Sequence, residues 1–142
     1  QVPRHRLGHP RLRRPIATSM TQPSFEITKA ATFDAAHFLA DGPEHRPYAN
    51  MHGHSFRVEA SVRGPTQDPV GWVADLADLD TVLKGVAAEL DHGVLNEKPG
   101  LSRPTLEHIC LYFAERLRPA FPGLSRVVVS RPTIGESCTL TL

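Results

Sequence analysis

The sequence predicts an α+β domain in which four strands form an antiparallel sheet and two helices cover one face, in the order β-β-α-α-β-β. Three observations carry this. Two segments before residue 65 alternate apolar with polar side chains. Two stretches between 75 and 119 place apolar residues at helical spacing. Two short strand-like runs close the chain.

Ser24 to Ala31 alternates Phe25 and Ile27 with Glu26 and Thr28, a strand that continues toward His37. Leu39 to Asn50 holds Asp41-Gly42-Pro43 and Pro47, which makes it a loop. Ser55 to Gly64 sets Phe56, Val58, Ala60 and Val62 against Arg57, Glu59, Ser61 and Arg63, a half-buried strand, and Gly64 to Pro69 turns. Around Asp75 a helix opens, with Leu76, Leu79, Val82, Leu83, Val86, Ala87 and Leu90 on its apolar stripe, and Asp91-His92-Gly93 ends it. After a loop over 93–103, Pro104 is expected in the first turn of a second helix, where its missing N–H costs little. That helix carries Leu106, Ile109, Cys110, Phe113 and Leu117 and stops at Pro119 and Pro122-Gly123. Val127-Val128-Val129 and Cys138 to Leu142 are the last two strands. A sheet this small has edges to cover, and edge-to-edge oligomerisation would cover them.

At 142 residues, 40% hydrophobic and 22% charged, the chain fits one domain with a modest core. No apolar run reaches the roughly 20 residues that span a bilayer. Two cysteines, Cys110 and Cys138, make no disulfide framework, so a reducing cytoplasm is expected. The net charge of +1 conceals an asymmetry. Residues 1–20 hold five arginines and no acid; taking these from the 16 basic residues leaves 11 against 15 acidic, a net of −4 for 21–142. The expectation is a disordered basic leader over 1–20, ahead of a start at Met20, and a folded domain over 21–142. Nucleic-acid binding is not expected of an acidic body without an aromatic-basic stripe, nor is membrane binding.

The chemistry concentrates in His52-Gly53-His54 and in His37 upstream. Residues i and i+2 of a strand share a face, so His52 and His54 present two imidazoles side by side while Gly53 keeps the other face small. If His37 pairs alongside, three nitrogens converge, which is the open three-histidine pattern of a catalytic zinc rather than a closed structural site. Asp91-His92 is a candidate acid/base pair, since a carboxylate orients an imidazole and raises its pKa; a helix C-terminal cap is the alternative. His45 is a candidate for the site mouth, whereas His108 falls among polar helix positions and Cys110 on the core stripe.

These residues add up to a resemblance. Phe33-Asp34-Ala35-Ala36-His37, Met51-His52-Gly53-His54-Ser55-Phe56, Gly71-Trp72-Val73-Ala74-Asp75-Leu76, Leu90-Asp91-His92-Gly93-Val94-Leu95-Asn96 and Pro99-Gly100-Leu101 with Pro104-Thr105-Leu106-Glu107 resemble the 6-pyruvoyl- and 6-carboxy-tetrahydropterin synthase family, in its order, over nearly all of 24–142. The resemblance implies a tunnelling fold assembled as an oligomeric barrel, commonly a homohexamer of two trimers. It implies Zn2+ on His37, His52 and His54, an acid/base role for Asp91 and His92, and a pterin pocket near Thr105 and Glu107. The implied reaction is that of a zinc-dependent lyase converting 7,8-dihydroneopterin triphosphate to 6-carboxy-5,6,7,8-tetrahydropterin, on the way to queuosine. Zinc there acts as a Lewis acid on the side-chain oxygens; proton transfers follow, with loss of triphosphate and acetaldehyde.

The chain departs from the family at two positions. The family's cysteine base, four residues before His-Gly-His, is here Tyr48, whose ordinary pKa of about 10 needs a nearby cation to make it a base. The glutamate that grips the pterin is here Arg131, so Glu136, five residues on, is expected to take that role, accepting two parallel N–H bonds. The alternatives are a 6-pyruvoyl-type or altered-base pterin lyase, or a binding module that kept zinc and pterin but lost turnover.

Overall fold

The structure is a computed structural model that describes residues 22–40, 42–43 and 46–142. The expected leader and His45 lie outside the described residues. Strand β1 (Phe25–His37) and strand β2 (His52–Gly64) form a long antiparallel hairpin whose register runs from Phe25↔Gly64 to His37↔His52. Alternation dictates which side is buried: Ala31, Phe33, Ala35 and His37 of β1 and Phe56, Val58, Ala60 and Val62 of β2 face the core, while Thr32, Asp34, Ser55 and Arg57 are exposed. Phe33 and Phe56, directly opposite in register, stack with centroids 5.0 Å apart.

Helix α1 (Leu76–Leu90) begins where Asp75 accepts a 2.8 Å hydrogen bond from the Ala77 N–H, a cap that stabilises a helix by about 1 kcal/mol. Its buried stripe is Leu79, Leu83, Val86, Ala87 and Leu90. Leu76, expected on that stripe, lies in the first turn and is 45% exposed. Helix α2 (Leu106–Leu117) buries the whole expected stripe and also Tyr112 and Ala114. Its start corrects the sequence expectation: Thr105 is the cap, its hydroxyl accepting from the His108 N–H at 3.2 Å, so Pro104 precedes the helix rather than opening its first turn. The helices are tied together by the Tyr112 hydroxyl, which donates to Glu89 at 2.7 Å.

Strands β3 (Leu124–Arg131) and β4 (Glu136–Thr141) complete the antiparallel sheet in the order β1-β2-β3-β4. Val127 and Val129 continue the buried face, under α2. Cys110 is core, as expected: burial pushes its thiol up to about 12. No helix among the described residues is long and apolar enough to cross a membrane.

Candidate active site

Strand parity and register assemble the histidines. His52 and His54 share the core-facing side of β2, and the β1–β2 register sets His37 opposite His52. The ring centroids lie 4.6 Å apart for His37–His52, 5.1 Å for His37–His54 and 4.7 Å for His52–His54. One ligand atom from each lies within 4.8 Å of the others, so the three could hold one metal ion. Beneath them the Phe56 ring meets His37 and His54 edge-on, closing the apolar side of the cluster.

The residues present fit a metal on two further counts. His37 Nδ1 lies 3.0 Å from the Pro104 carbonyl and His52 Nδ1 lies 2.6 Å from the Asn50 carbonyl. A carbonyl only accepts, so each Nδ1 carries the proton and each Nε2 presents its lone pair, the arrangement a ligating histidine needs. The Nε2 atoms of His37 and His54 are buried and have no protein partner. Burial also keeps both rings neutral, holding His37 down at about 4 and lowering His54. Sequence spacing gives no sign of the Pro104 and Asn50 carbonyls, because what they do belongs to the backbone.

Asp91 and His92 follow α1 at the edge of β1. The His92 N–H donates to the Asp34 carbonyl at 2.7 Å, the Asp34 N–H donates to Asp91 Oδ1 at 2.9 Å, and His92 Nδ1 meets Asp91 Oδ2 at 2.8 Å. These bonds hold His92 in the left-handed region, at φ 57°, a conformation uncommon outside glycine. The Asp34 N–H and the His92 ring hold the Asp91 carboxyl below its ordinary range, and that carboxylate raises His92. His92 opens on a cleft of about 830 Å³ that Asp34, His54, Ser55 and Ile134 also line. Asp34, to which sequence reasoning assigns no task, is thus the joint between the acid/base pair and the histidine strands: its carboxylate accepts from the Ser55 hydroxyl at 2.5 Å.

Tyr48 lies in a neighbouring cleft of about 460 Å³ with His52, His54, Arg131 and Glu136. The loop before it closes through Leu39 N–H to the Tyr48 carbonyl at 2.8 Å. Gly42 makes room for the ring, since a Cβ there would come within 2.8 Å of its Cε2 and hydroxyl. Glu136 opens β4 opposite Arg131, and the two are joined at 2.6 Å. The structure therefore brings Tyr48 and Glu136 to the histidine cluster. Thr105 and Glu107 line neither cleft: Thr105 caps α2 and Glu107 is exposed in its first turn.

Comparison with known proteins agrees with this layout. The family model described as 6-pyruvoyl tetrahydropterin synthase matches residues 26–141. A dihydroneopterin monophosphate aldolase of Pyrococcus furiosus is 39% identical over 97 residues, 68% of this chain and 78% of the relative. A 6-carboxy-5,6,7,8-tetrahydropterin synthase of Synechocystis is 37% identical over 123 residues, 80% of this chain and 87% of the relative. Among solved structures, 6-pyruvoyl tetrahydropterin synthase of Caenorhabditis elegans superposes with a TM-score of 0.70, at 24% identity, covering 85% of this chain and 97% of that one.

Proposed function

Because the chain belongs to the 6-pyruvoyl tetrahydropterin synthase family, we propose that it is a zinc-dependent lyase acting on the phosphorylated side chain of 7,8-dihydroneopterin. The first reading is conversion of the triphosphate to 6-carboxy-5,6,7,8-tetrahydropterin. The observation that carries it is the convergence of three histidines, two of them in tautomers that suit ligation, beside clefts that also hold Tyr48, Glu136 and His92.

His37, His52 and His54 would hold the ion. When bound, zinc supplies Lewis acidity toward the hydroxyl and carbonyl oxygens of the pterin side chain. The protein's own groups move the protons. Tyr48, as its phenolate, would accept one from a side-chain carbon and become the hydroxyl. His92, whose hold on its proton Asp91 strengthens, delivers that proton from Nε2 to the carbon or leaving oxygen. Glu136 accepts from the N–H edge of the pterin, and the segment around Thr105 and Glu107 contributes to the ring pocket from a neighbouring copy. A homo-oligomeric barrel, six chains as two trimers, provides that neighbour. Both free cysteines accord with a cytoplasmic location.

The test is incubation of the zinc-loaded protein with 7,8-dihydroneopterin triphosphate and identification of products by mass spectrometry. A 6-carboxy pterin with acetaldehyde supports the first reading, and a 6-pyruvoyl product moves the protein to the other branch. A second reading, aldol cleavage of 7,8-dihydroneopterin monophosphate, is favoured by the 39% identity to an aldolase of that name. The same assay on the monophosphate separates the two.

A further inference from the structure

We infer that Arg131 is a specificity-determining residue that takes hold of a phosphate group on the ligand's side chain, beside the three histidines. This deepens the pterin-lyase reading and rests on it for the identity of the ligand.

Arg131 ends β3 with the parity of Val127 and Val129, so its side chain turns to the buried face of the sheet rather than to the polar one. There it lines the cleft of Tyr48, His52 and His54, and it is the one lysine or arginine among the described residues lining that cleft. The side chain is 16% exposed. One end is committed: Nη2 donates to Glu136 Oε2 at 2.6 Å, and cross-strand pairing of the two residues keeps that bond in place. Nε, on the same edge as Nη2, is buried and has no partner in the protein.

A cross-strand ion pair made for surface stability would leave its donors to water. Here the acid is the exposed partner, at 49%, and the cation is the buried one, with a desolvated N–H to spare. Leaving such a donor unsatisfied is costly, and a ligand oxygen would remove that cost. Glu136 orients the guanidinium, leaving Nε to donate to one oxygen of a phosphate. A metal ion on the histidines would add positive charge beside the arginine, so the cleft favours an anion over a neutral polyol. A glutamate at position 131 would repel that anion, which makes this position a point where a family member can trade a pterin contact for a phosphate contact.

Two experiments on the full chain test this. In the first, the Arg131 Nε–H signal is assigned by its loss in Arg131→Lys and followed by nitrogen-detected NMR as inorganic phosphate is added. A saturable shift is expected, and a signal that does not move overturns the inference. In the second, the Kd of 7,8-dihydroneopterin with and without its phosphates is measured for wild type and Arg131→Gln from the rapid binding phase that precedes turnover, with zinc content and circular dichroism confirming a folded, loaded variant. The expected result is a Kd at least 10-fold higher for the phosphorylated compound alone. An equal change on both compounds overturns the inference and leaves Arg131 a brace for Glu136. If Arg131→Gln does not fold, Arg131→Lys takes its place, with a smaller but still phosphate-dependent rise expected. A phosphate-dependent shift with no turnover of any dihydroneopterin would sink the lyase reading while the anion site stands.

Discussion

A single carboxylate decides the protonation of the exposed imidazole beside it. Asp91 raises His92 above its ordinary 6.5, and Asp91 itself is held below 3.8 by the Asp34 N–H and by His92. Asp91→Asn keeps the shape and removes the charge, so the His92 midpoint, followed by NMR of its ring protons, should fall toward 6.5; an unmoved midpoint would mean the contact does not form in solution. The signs set a window. A raised histidine adds stability that is complete below 6.5 and is lost as pH rises through its folded value. A lowered carboxyl adds stability that is present above 3.8 and is lost as pH falls through its folded value. Both contributions are therefore present between those limits, and with His92 as proton donor, turnover should decline on the alkaline side at a pH that Asp91→Asn brings down. Tyr48 admits a sharper test. If its phenolate takes the proton, Tyr48→Phe should cost about 100-fold or more in kcat while bound zinc, measured by atomic emission, stays level; full turnover in that variant would return the ring to a packing role against Gly42.

At the scale of elements, the site depends on how strand ends are tied down. Asn96, in the turn after α1, accepts from the Phe38 N–H at 3.1 Å and donates to the Phe38 carbonyl at 2.9 Å, clamping the chain one residue past His37. Asn96→Ala leaves both groups without that partner and should cost about 2 kcal/mol in urea unfolding, with weaker metal retention. A loss of stability with metal binding untouched would show that the clamp serves the fold alone. At the far end of the hairpin, a Cβ on Gly123 would come within 2.9 Å of the Arg63 carbonyl, a main-chain atom with little freedom to yield. Gly123→Ala should therefore destabilise by about 1–3 kcal/mol, whereas Gly53→Ala, whose nearest contact would be 3.5 Å, should be tolerated. These ties also mark how far the sequence was legible. Period-two alternation reveals β1 and β2, and it puts His52 and His54 on one face. Helical spacing places both helices within two residues. Neither period reports what main-chain groups do, so Thr105 rather than Pro104 at the head of α2, the Pro104 carbonyl on His37 and the Asp34 joint to His92 appear only in three dimensions. The Arg131–Glu136 pair was out of reach for a related reason: it depends on a hairpin register set by a short helical turn with Gly135 at φ 69°.

For the whole molecule, the open question is what covers the sheet. With the order β1-β2-β3-β4, the outer strands are β1, 13 residues long, and β4, 6 residues long. Residues His92 to Val94 run along β1 at its site end, through the His92–Asp34 and Ala36–Gly93 bonds and a bridge between Ala36 and Val94. Along Phe25–Phe33 no second strand flanks β1 on that side among the described residues. An edge that long, with exposed Phe25 beside it, invites pairing with another chain. The face away from the helices is polar, with Thr28, Thr32, Arg57 and Glu59, so it can line a water-filled barrel but cannot pack against a second hydrophobic layer. Joining β1 of one copy to β4 of the next satisfies both constraints and carries His92, 81% exposed on its own chain, toward a neighbour. Light scattering should therefore give a mass that is a multiple of the 15.6 kDa chain, with six copies expected. A proline at Thr28, where it removes a backbone donor within the hairpin strand, should lower that mass and turnover together. A fully active monomer at micromolar concentration would instead require each chain to complete its site alone, and would place the acid/base work of His92 within the cleft it shares with His54.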